Sequence, residues 1–283
     1  MSRLSRTIVL LAFLGFGCGD SRNRTPPLAP STSAPAVSQQ SLIGYVADTG
    51  FRAVTGARVE VLDGPQAGLS MVSDAVGQFT YTGTFTSLVS FRVSKDGYIS
   101  ATETSRVSAP GGRPWAYVRL ETVAAPADIA GDYTMTVIAD SVCTGIPEEW
   151  RTRTYAATIG PRSDPLLRPN TLLTLTVVGA PLLPNRDNFQ IGVSANDIGF
   201  TIYQGEDFGL VEQLTPTTFL AVQGFGLASI DGSAKTITAM LNGVIDYCAL
   251  KSESVWNYNC TTGPAIAHAS CESKNHRLTL RRR

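Results

Sequence analysis

Residues 57–61 read Ala57-Arg58-Val59-Glu60-Val61, and this stretch decides the fold class. Apolar residues alternate with charged ones, which is the period-two pattern of a half-buried antiparallel strand. The turn sequence Asp63-Gly64-Pro65 follows directly. Strand and turn signals of this kind recur about every 8–12 residues across residues 41–121, which predicts a small β-sandwich. With 26 Gly, 16 Pro and no long stretch of helical periodicity, the whole chain is predicted to be all-β.

Residues 128–283 continue the same pattern as a second antiparallel β domain. Alternating segments are separated by turn signals such as Asp231-Gly232 and Asn242-Gly243. A sheet of many strands tends to close because closure removes its unpaired edges. We therefore expect a small up-and-down barrel, with a second sandwich as the alternative. The opening Gly131-Asp132-Tyr133 and the late cysteines resemble lipocalin-type barrels.

Four motifs in the first domain carry a family resemblance. They are Gly44-Tyr45-Val46-Ala47-Asp48, Val54-Thr55-Gly56-Ala57-Arg58-Val59, Ser73-Asp74-Ala75-Val76-Gly77-Gln78-Phe79 and Lys95-Asp96-Gly97-Tyr98. In this order and spacing they resemble the carboxypeptidase regulatory-like domain. The resemblance implies a transthyretin-like sandwich, a carbohydrate-binding-like fold that serves as an accessory module. Gly56 and Gly77 suit turn positions with positive φ, and Phe79 and Tyr98 are expected in the core.

Residues 1–18 are predicted to be an export signal. Residues 1–18 combine two early arginines with a short apolar run, too short to span a bilayer as a helix. Gly17-Cys18 resembles the lipobox of bacterial lipoproteins, which predicts lipidation of Cys18. The match departs from the pattern at Gly15 and Phe16, so a signal peptide cut elsewhere is the alternative.

A tether follows the predicted anchor. Residues 19–40 are rich in Pro and Ser and poor in large apolar side chains, so they are expected to stay extended. In lipoproteins an Asp directly after the cysteine favours retention at the inner membrane. Here Gly19 takes that position, and the resemblance therefore favours the outer membrane of a Gram-negative cell envelope. A short Ala/Pro hinge, residues 123–127, is predicted between the two domains.

Four further cysteines agree with export. Cys143, Cys248, Cys260 and Cys271 are an even set, which permits two disulfides in any of three pairings. Their spacing is not that of a zinc site. A barrel brings its first and last strands side by side, so we expect at least one bond between Cys143 and a late cysteine.

No catalytic motif is present in the sequence. The P-loop, the dinucleotide fingerprint and the nucleophile elbow are missing, and His268 and His276 do not have the spacing of the peptidase metal ligands. We therefore expect no enzyme activity, no cofactor and no metal. The 23 basic and 23 acidic residues cancel, which gives no clustered positive field for nucleic acid.

Aromatic pairs are the remaining candidates for ligand binding. Trp115 with Tyr117, and Trp256 with Tyr258, are two residues apart and so share a strand face. Packing in a core or an interface is the alternative for both pairs. Two functions stay open. The protein is either a surface binding module, with carbohydrate or protein as the candidate ligand, or a structural or interaction protein whose sandwich is a spacer that presents the C-terminal domain. Exposed tryptophan rings would favour the binding module.

Overall fold

The computed structural model describes residues 40–84, 88–106, 115–162, 164–204, 207–230, 235–251 and 265–283. Within these ranges the protein is all-β, as predicted, and no helix is long and apolar enough to cross a membrane. Eight strands form the N-terminal part: β1 (Gln40–Asp48), β2 (Arg58–Val61), β3 (Ser70–Val72), β4 (Gln78–Gly83), β5 (Leu88–Ser94), β6 (Tyr98–Ile99), β7 (Ala101–Arg106) and β8 (Trp115–Thr122).

These strands make two four-stranded sheets, in the orders β4-β1-β8-β6 and β3-β2-β5-β7. The pair β1–β8 is parallel and the pair β1–β4 is antiparallel. One core lies between the sheets, and the alternation of residues 57–61 holds there, since Val59 and Val61 are buried while Arg58 is exposed. Phe79 and Phe91 meet edge to face in this core, with their centroids 5.8 Å apart.

The predicted turn glycines are confirmed. Gly56 has φ 72° and Gly77 has φ 74°. A side chain at Gly77 would also overlap the carbonyl oxygen of Val46 on β1. Asp74 holds the same turn, because its Oδ1 accepts the backbone N–H groups of Val76 at 3.0 Å and of Gln78 at 2.8 Å. The turn therefore fixes how β4 enters the sheet beside β1.

The described residues of the C-terminal part form ten strands and one short 3₁₀ helix. They are β9 (Gly131–Ile138), the 3₁₀ helix (Glu148–Trp150), β10 (Thr152–Pro161), β11 (Leu172–Val178), β12 (Leu182–Ser194), β13 (Asp197–Gln204), β14 (Asp207–Phe208), β15 (Leu210–Thr215), β16 (Thr218–Ser229), β17 (Thr236–Leu250) and β18 (Ala265–Arg282).

The strands close into an eight-stranded antiparallel barrel, as the sequence predicted. The ring runs β11-β10-β9-β18-β17-β16-β15-β12, and β12 returns to pair with β11. Two strands, β13 and β15, occupy the same position in the ring, one after the other along its length. Each of them pairs with β12 on one side and with β16 on the other. The chain leaves the ring between them to form the small hairpin of β13 and β14. The interior is filled by apolar side chains, including Tyr133, Phe189 and Phe200.

The last two strands correct the sequence interpretation. The sequence pattern predicts a loop-rich stretch around the late cysteines and a final strand over residues 276–280. In the structure, Cys248 lies in β17 and Cys271 lies in β18. The residues between 265 and 275 are mostly small or polar, so the apolar alternation that marks a strand is missing there. Pairing with β17 along the full length of β18 supplies the order instead.

A bulge in β18 decides which side chains face the barrel interior. Leu241 of β17 pairs with His276, but Gly243 pairs with Ser273, so β18 has an extra residue at this point. Without the bulge, His276 and Cys271 would point to opposite sides of the wall. With it, both face inward, and Cys271 forms a disulfide with Cys143, at a Cα–Cα distance of 5.5 Å. The expected bond between Cys143 and a late cysteine is present.

The predicted hinge at residues 123–127 is fastened rather than free. The backbone N–H of Val123 donates to the carbonyl of Gly97 in the sandwich at 2.9 Å, and that of Ala127 donates to the carbonyl of Ala195 in the barrel at 2.9 Å. Alanine and proline suggested an open linker from composition alone, but here both neighbouring domains supply acceptors. The linker therefore fixes the domains to each other.

Direct contacts reinforce this junction. Arg52 follows β1 and forms ion pairs with Asp48 at 3.4 Å and with Asp197 at the start of β13. Thr49 Oγ1 donates to the carbonyl of Val193 on β12 at 2.6 Å, in a buried position. The sandwich and the barrel thus belong to one compact unit.

Candidate functional site

Two of the predicted ligand residues lie together on an open strand face. Trp115 and Tyr117 point away from the core, because the alternate residues of β8 are buried. The Trp115 side chain is 58% exposed. The two rings are nearly parallel, with an interplanar angle of 13° and centroids 6.0 Å apart. Core packing, one half of the alternative for this pair, is therefore wrong for Trp115, while packing in an interface is untested.

A cation extends the aromatic pair into a column. The Arg119 guanidinium lies 5.6 Å from the centroid of the Tyr117 ring and 5.8 Å from that of Phe51. Cation–π attraction favours this arrangement. The Nε atom of Arg119 is buried and has no hydrogen-bond partner among the described residues. Trp115, Tyr117, Arg119 and Phe51 together are called the aromatic column below.

The neighbouring strands widen the face. Tyr45 of β1 is paired directly with Tyr117 of β8, so the two side chains lie side by side on the same surface. The Tyr45 hydroxyl donates to Oε1 of Gln78 on β4 at 3.2 Å. Three adjacent strands therefore offer rings together with polar groups. This combination of apolar faces and hydrogen-bonding groups is typical of small-molecule binding surfaces.

A cleft of about 420 Å³ opens beside the column. The sandwich forms one wall and the barrel segment 164–167, between β10 and β11, forms the other. The lining residues are Ile99, Ser100, Ala101, Thr102, Glu103, Tyr117, Val118, Arg119, Glu121, Asp164, Leu166 and Leu167. Tyr117 and Arg119 belong both to the aromatic column and to this cleft, so the two features are continuous.

Acidic groups dominate the charge of the cleft. Burial, opposed by the positive charge of Arg119 and assisted by the negative charge of Asp164, raises the pKa of Glu103 above its ordinary value. Glu121 is already paired, because Arg168 donates to its carboxylate through Nε. Of the carboxylates that line the cleft, Glu103 and the Oδ2 atom of Asp164 can thus receive hydrogen bonds from a ligand, since Oδ1 of Asp164 already accepts from Leu166. Hydroxyl groups are suitable donors.

A second polar cluster lies inside the barrel. The buried Glu212 carboxylate accepts hydrogen bonds from the Tyr155 hydroxyl at 2.9 Å and from Arg153 Nε at 2.8 Å. Burial, and then the negative charge of Glu212, raise the pKa of Tyr155. The cluster is satisfied internally, and the guanidinium of Arg153 also lies 5.3 Å from the ring centroid of Trp150. These contacts give it a structural role, because a paired buried charge is costly to disturb.

The two histidines do not combine into a site. His268 lies on the outer surface of the barrel, where its Nε2 is 2.8 Å from Oδ1 of Asp246. His276 faces the interior, and its Nδ1 accepts the backbone N–H of Asp140 at 3.0 Å. Burial lowers the pKa of His276, which favours its neutral form. The barrel wall therefore separates the two rings.

The remaining predicted site residues have different outcomes. Cys248 is disulfide-bonded in addition to the pair Cys143–Cys271. Four predicted residues lie outside the described ranges: Cys18, Trp256, Tyr258 and Cys260. The lipid anchor, the second aromatic pair and the complete cysteine pairing therefore stay predictions.

Sequence reasoning missed the charged part of the site. The alternation Trp115-x-Tyr117-x-Arg119 could have placed Arg119 on the aromatic face, since all three residues have the same parity on one strand. Glu103 and Asp164 carry no such signal. They meet at the cleft only because the sandwich and the barrel are joined in one particular orientation.

No protein-family model matches the chain, and no curated protein matches it. Among solved structures, the TIE protein of Bacillus anthracis is 13% identical, with a TM-score of 0.27, over 84% of this chain and 48% of that one. The major pilin subunit of Bacillus cereus is 10% identical, with a TM-score of 0.26, over 83% of this chain and 96% of that one. A Bacteroides fragilis protein described as membrane-associated and of unknown function is 10% identical, with a TM-score of 0.24, over 86% and 97%. At these TM-scores the matches assign neither a family nor a function to the chain.

Proposed function

We propose that this protein is a non-catalytic, lipid-anchored module of the bacterial cell envelope that binds carbohydrate through the aromatic column. The observation that carries the proposal is the nearly parallel pair formed by the exposed Trp115 and the half-buried Tyr117. Sugar rings present apolar C–H faces that stack on aromatic rings, while their hydroxyls bond to polar groups at the edge. The Tyr45 hydroxyl and the Gln78 amide stand at that edge.

The exposure of Trp115 supports binding over a purely structural role. A large aromatic side chain gains most of its stabilising free energy from burial, so an exposed one contributes little to folding. Apolar surface rimmed by polar residues marks interaction sites. Trp115 therefore occupies an outward-facing position of β8 and adds little to the core of the sandwich.

The remaining parts of the proposal concern family and location. The four motifs of the first domain support an accessory module similar to the carboxypeptidase regulatory-like domain. The disulfide Cys143–Cys271 supports an oxidising compartment outside the cytoplasm. The short apolar run before Gly17-Cys18 and the Pro/Ser-rich segment after it support lipidation and attachment to the outer membrane.

A structural role is the second candidate, and the fastened junction favours it. Arg52, Thr49 and the segment 123–127 fix the sandwich to the barrel. A spacer that presents the barrel at a set distance from the membrane would need such rigidity. In this alternative the barrel carries the partner surface and the aromatic column has no ligand.

A glycan screen on residues 38–283, the compact unit that contains both the sandwich and the barrel, tests the two candidates. The probes are immobilised neutral, acidic and amino-sugar oligosaccharides. Trp115→Ala and Tyr117→Ala should lose binding that the wild type shows. Tyr203→Ala is the matched control, since Tyr203 is also an exposed aromatic residue, at 39%, but lies on the barrel. If the wild type bound no glycan, or if Trp115→Ala bound as the wild type does, the carbohydrate proposal would fail and the spacer would be favoured.

A further inference from the structure

We infer that the binding site continues from the aromatic column into the cleft, that both domains contact the ligand there, and that the ligand is an uncharged oligosaccharide. The inference rests on the proposed function and deepens it. It names the ligand class and gives the barrel a direct part in recognition.

The shape of the site calls for a chain rather than a single sugar. Tyr117 and Arg119 line both the open face and the cleft, so a ligand stacked on Trp115 meets the cleft as it extends along β8. Residues 115–121 span roughly 20 Å at the usual rise of a strand. One monosaccharide covers only part of that length. The continuous surface therefore matches an oligosaccharide lying along the strand.

The barrel wall of the cleft is held in position for contact. Oδ1 of Asp164 accepts the backbone N–H of Leu166 at 3.0 Å, which shapes the segment 164–167 into a turn. Arg168, directly after it, donates its backbone N–H to Oε1 of Glu121 at 3.0 Å, and its Nη2 donates to the carbonyl of Thr122. The wall is thus tied to β8, the strand that carries the aromatic column.

The apolar side chain of Leu166 lies at the edge of this wall. Leu166 is 80% exposed although it lines the cleft. It projects from the barrel segment toward the same space that Tyr117 borders from the sandwich. A ligand between them would cover apolar surface from both domains, which is favourable in proportion to the area removed from water.

The charges of the lining select against an anionic ligand. Glu103 and Asp164 face the cleft, and Arg168 already neutralises Glu121. Among the lining residues Arg119 is the cation, and its guanidinium is held between the rings of Tyr117 and Phe51. A uronic acid would meet two carboxylates in a partly buried cleft, where like charges repel. Neutral hydroxyls can instead donate to both carboxylates.

Calorimetric titration with neutral glucan oligosaccharides of increasing length, and with galacturonate oligosaccharides of matched length, tests the inference on residues 38–283. Wild-type affinity should rise with chain length for the neutral series and stay weaker for the acidic series. Glu103→Gln and Asp164→Asn keep the size of each side chain and remove its charge. Each should weaken binding of the longer neutral chains by about two- to tenfold, because a hydroxyl donates a weaker hydrogen bond to a neutral amide oxygen than to a carboxylate.

Glu148→Gln is the control, since Glu148 lies in the 3₁₀ helix outside the cleft. The melting temperature of every variant checks its folding. If Trp115→Ala lost binding while Glu103→Gln and Asp164→Asn bound all lengths as the wild type does, the cleft inference would be overturned and the proposed function would stand. Tighter binding of the acidic series would overturn the ligand class. If the wild type bound neither series, both the cleft inference and the proposed carbohydrate-binding function would be wrong.

Discussion

Gly192 and Gly199 are paired directly across strands β12 and β13. Together they form a contact surface for the sandwich, which is called the seat below. The backbone carbonyls of Thr49 and Gly50 lie against this seat, at positions that any side chain on the two glycines would occupy. Phe51, with φ 64°, closes the same contact and also ends the aromatic column. The seat therefore links the barrel to the strand face proposed to bind the ligand.

We expect Gly199→Ala to destabilise the protein. The added methyl would overlap the Gly50 carbonyl, and overpacking of this kind costs about 1–3 kcal/mol. Gly160→Ala is the matched control, because Gly160 is also a strand glycine but has open space beside it. Urea unfolding measures both variants. Equal midpoints for Gly199→Ala and Gly160→Ala would show that the seat is not a tight contact.

The stability of the sandwich should fall in alkaline solution. Burial, and then the negative charge of Glu60, raise the pKa of Tyr81 from 10.0 to about 12. The folded state holds the phenolic proton more tightly than the unfolded chain does, so this stabilisation is complete below pH 10 and is lost as the pH rises toward 12. Tyr81→Phe should flatten the decline between these values. The free energy of unfolding is measured in urea at several pH values in this range. An equally steep fall with pH in Tyr81→Phe and in the wild type would contradict the assignment.

Removal of the disulfide Cys143–Cys271 should destabilise the barrel. The bond closes a loop over a sequence separation of 128 residues, and the chain-entropy model gives about 4–5 kcal/mol for loops of this length. The double variant Cys143→Ser/Cys271→Ser avoids an unpaired thiol, and denaturant unfolding measures the loss. Mass mapping without reduction should recover this pair and, in addition, Cys248 joined to Cys260. Free thiols at all four positions would contradict both expectations.

Membrane attachment should depend on Cys18. In a Gram-negative host the wild type should fractionate with membranes, and Cys18→Ser should appear in the soluble fraction, because the lipid would be the attachment. Ser21→Ala, at a nearby position of the tether, is the control and should behave as the wild type. The same partitioning for the wild type and Cys18→Ser would rule out a lipid anchor at this residue.

Local patterns predicted the elements that depend on local physics. The alternation around Val59 and the glycine turn at Gly77 gave the sandwich strands, and the run of strands toward the C-terminus gave the barrel. The turn predicted at Asn242-Gly243 is wrong, because these residues lie inside β17. Gly243 serves there as a point of close approach, where any side chain would overlap the carbonyl of Gln223 on β16.

The features that the sequence could not reveal depend on long-range geometry. Residues 123–127 look like an open hinge until the acceptors at Gly97 and Ala195 are known. The cleft depends on Asp164 and Glu103, which are brought together by the junction between the domains. The aromatic part of the site was predictable because Trp115 and Tyr117 share one strand. Its charged part was not.

The affinity of Trp115 variants for a neutral oligosaccharide tests the central claim most directly. Stacking needs an aromatic face, so Trp115→Phe should retain part of the binding free energy, whereas Trp115→Ala should weaken binding by about tenfold or more, or roughly 1.4 kcal/mol. Calorimetric titration on residues 38–283 provides the comparison, with Tyr203→Ala as the control. We predict the order wild type, Trp115→Phe, Trp115→Ala from tightest to weakest. Equal affinity for the wild type and Trp115→Ala would contradict the claim that this strand face binds the ligand.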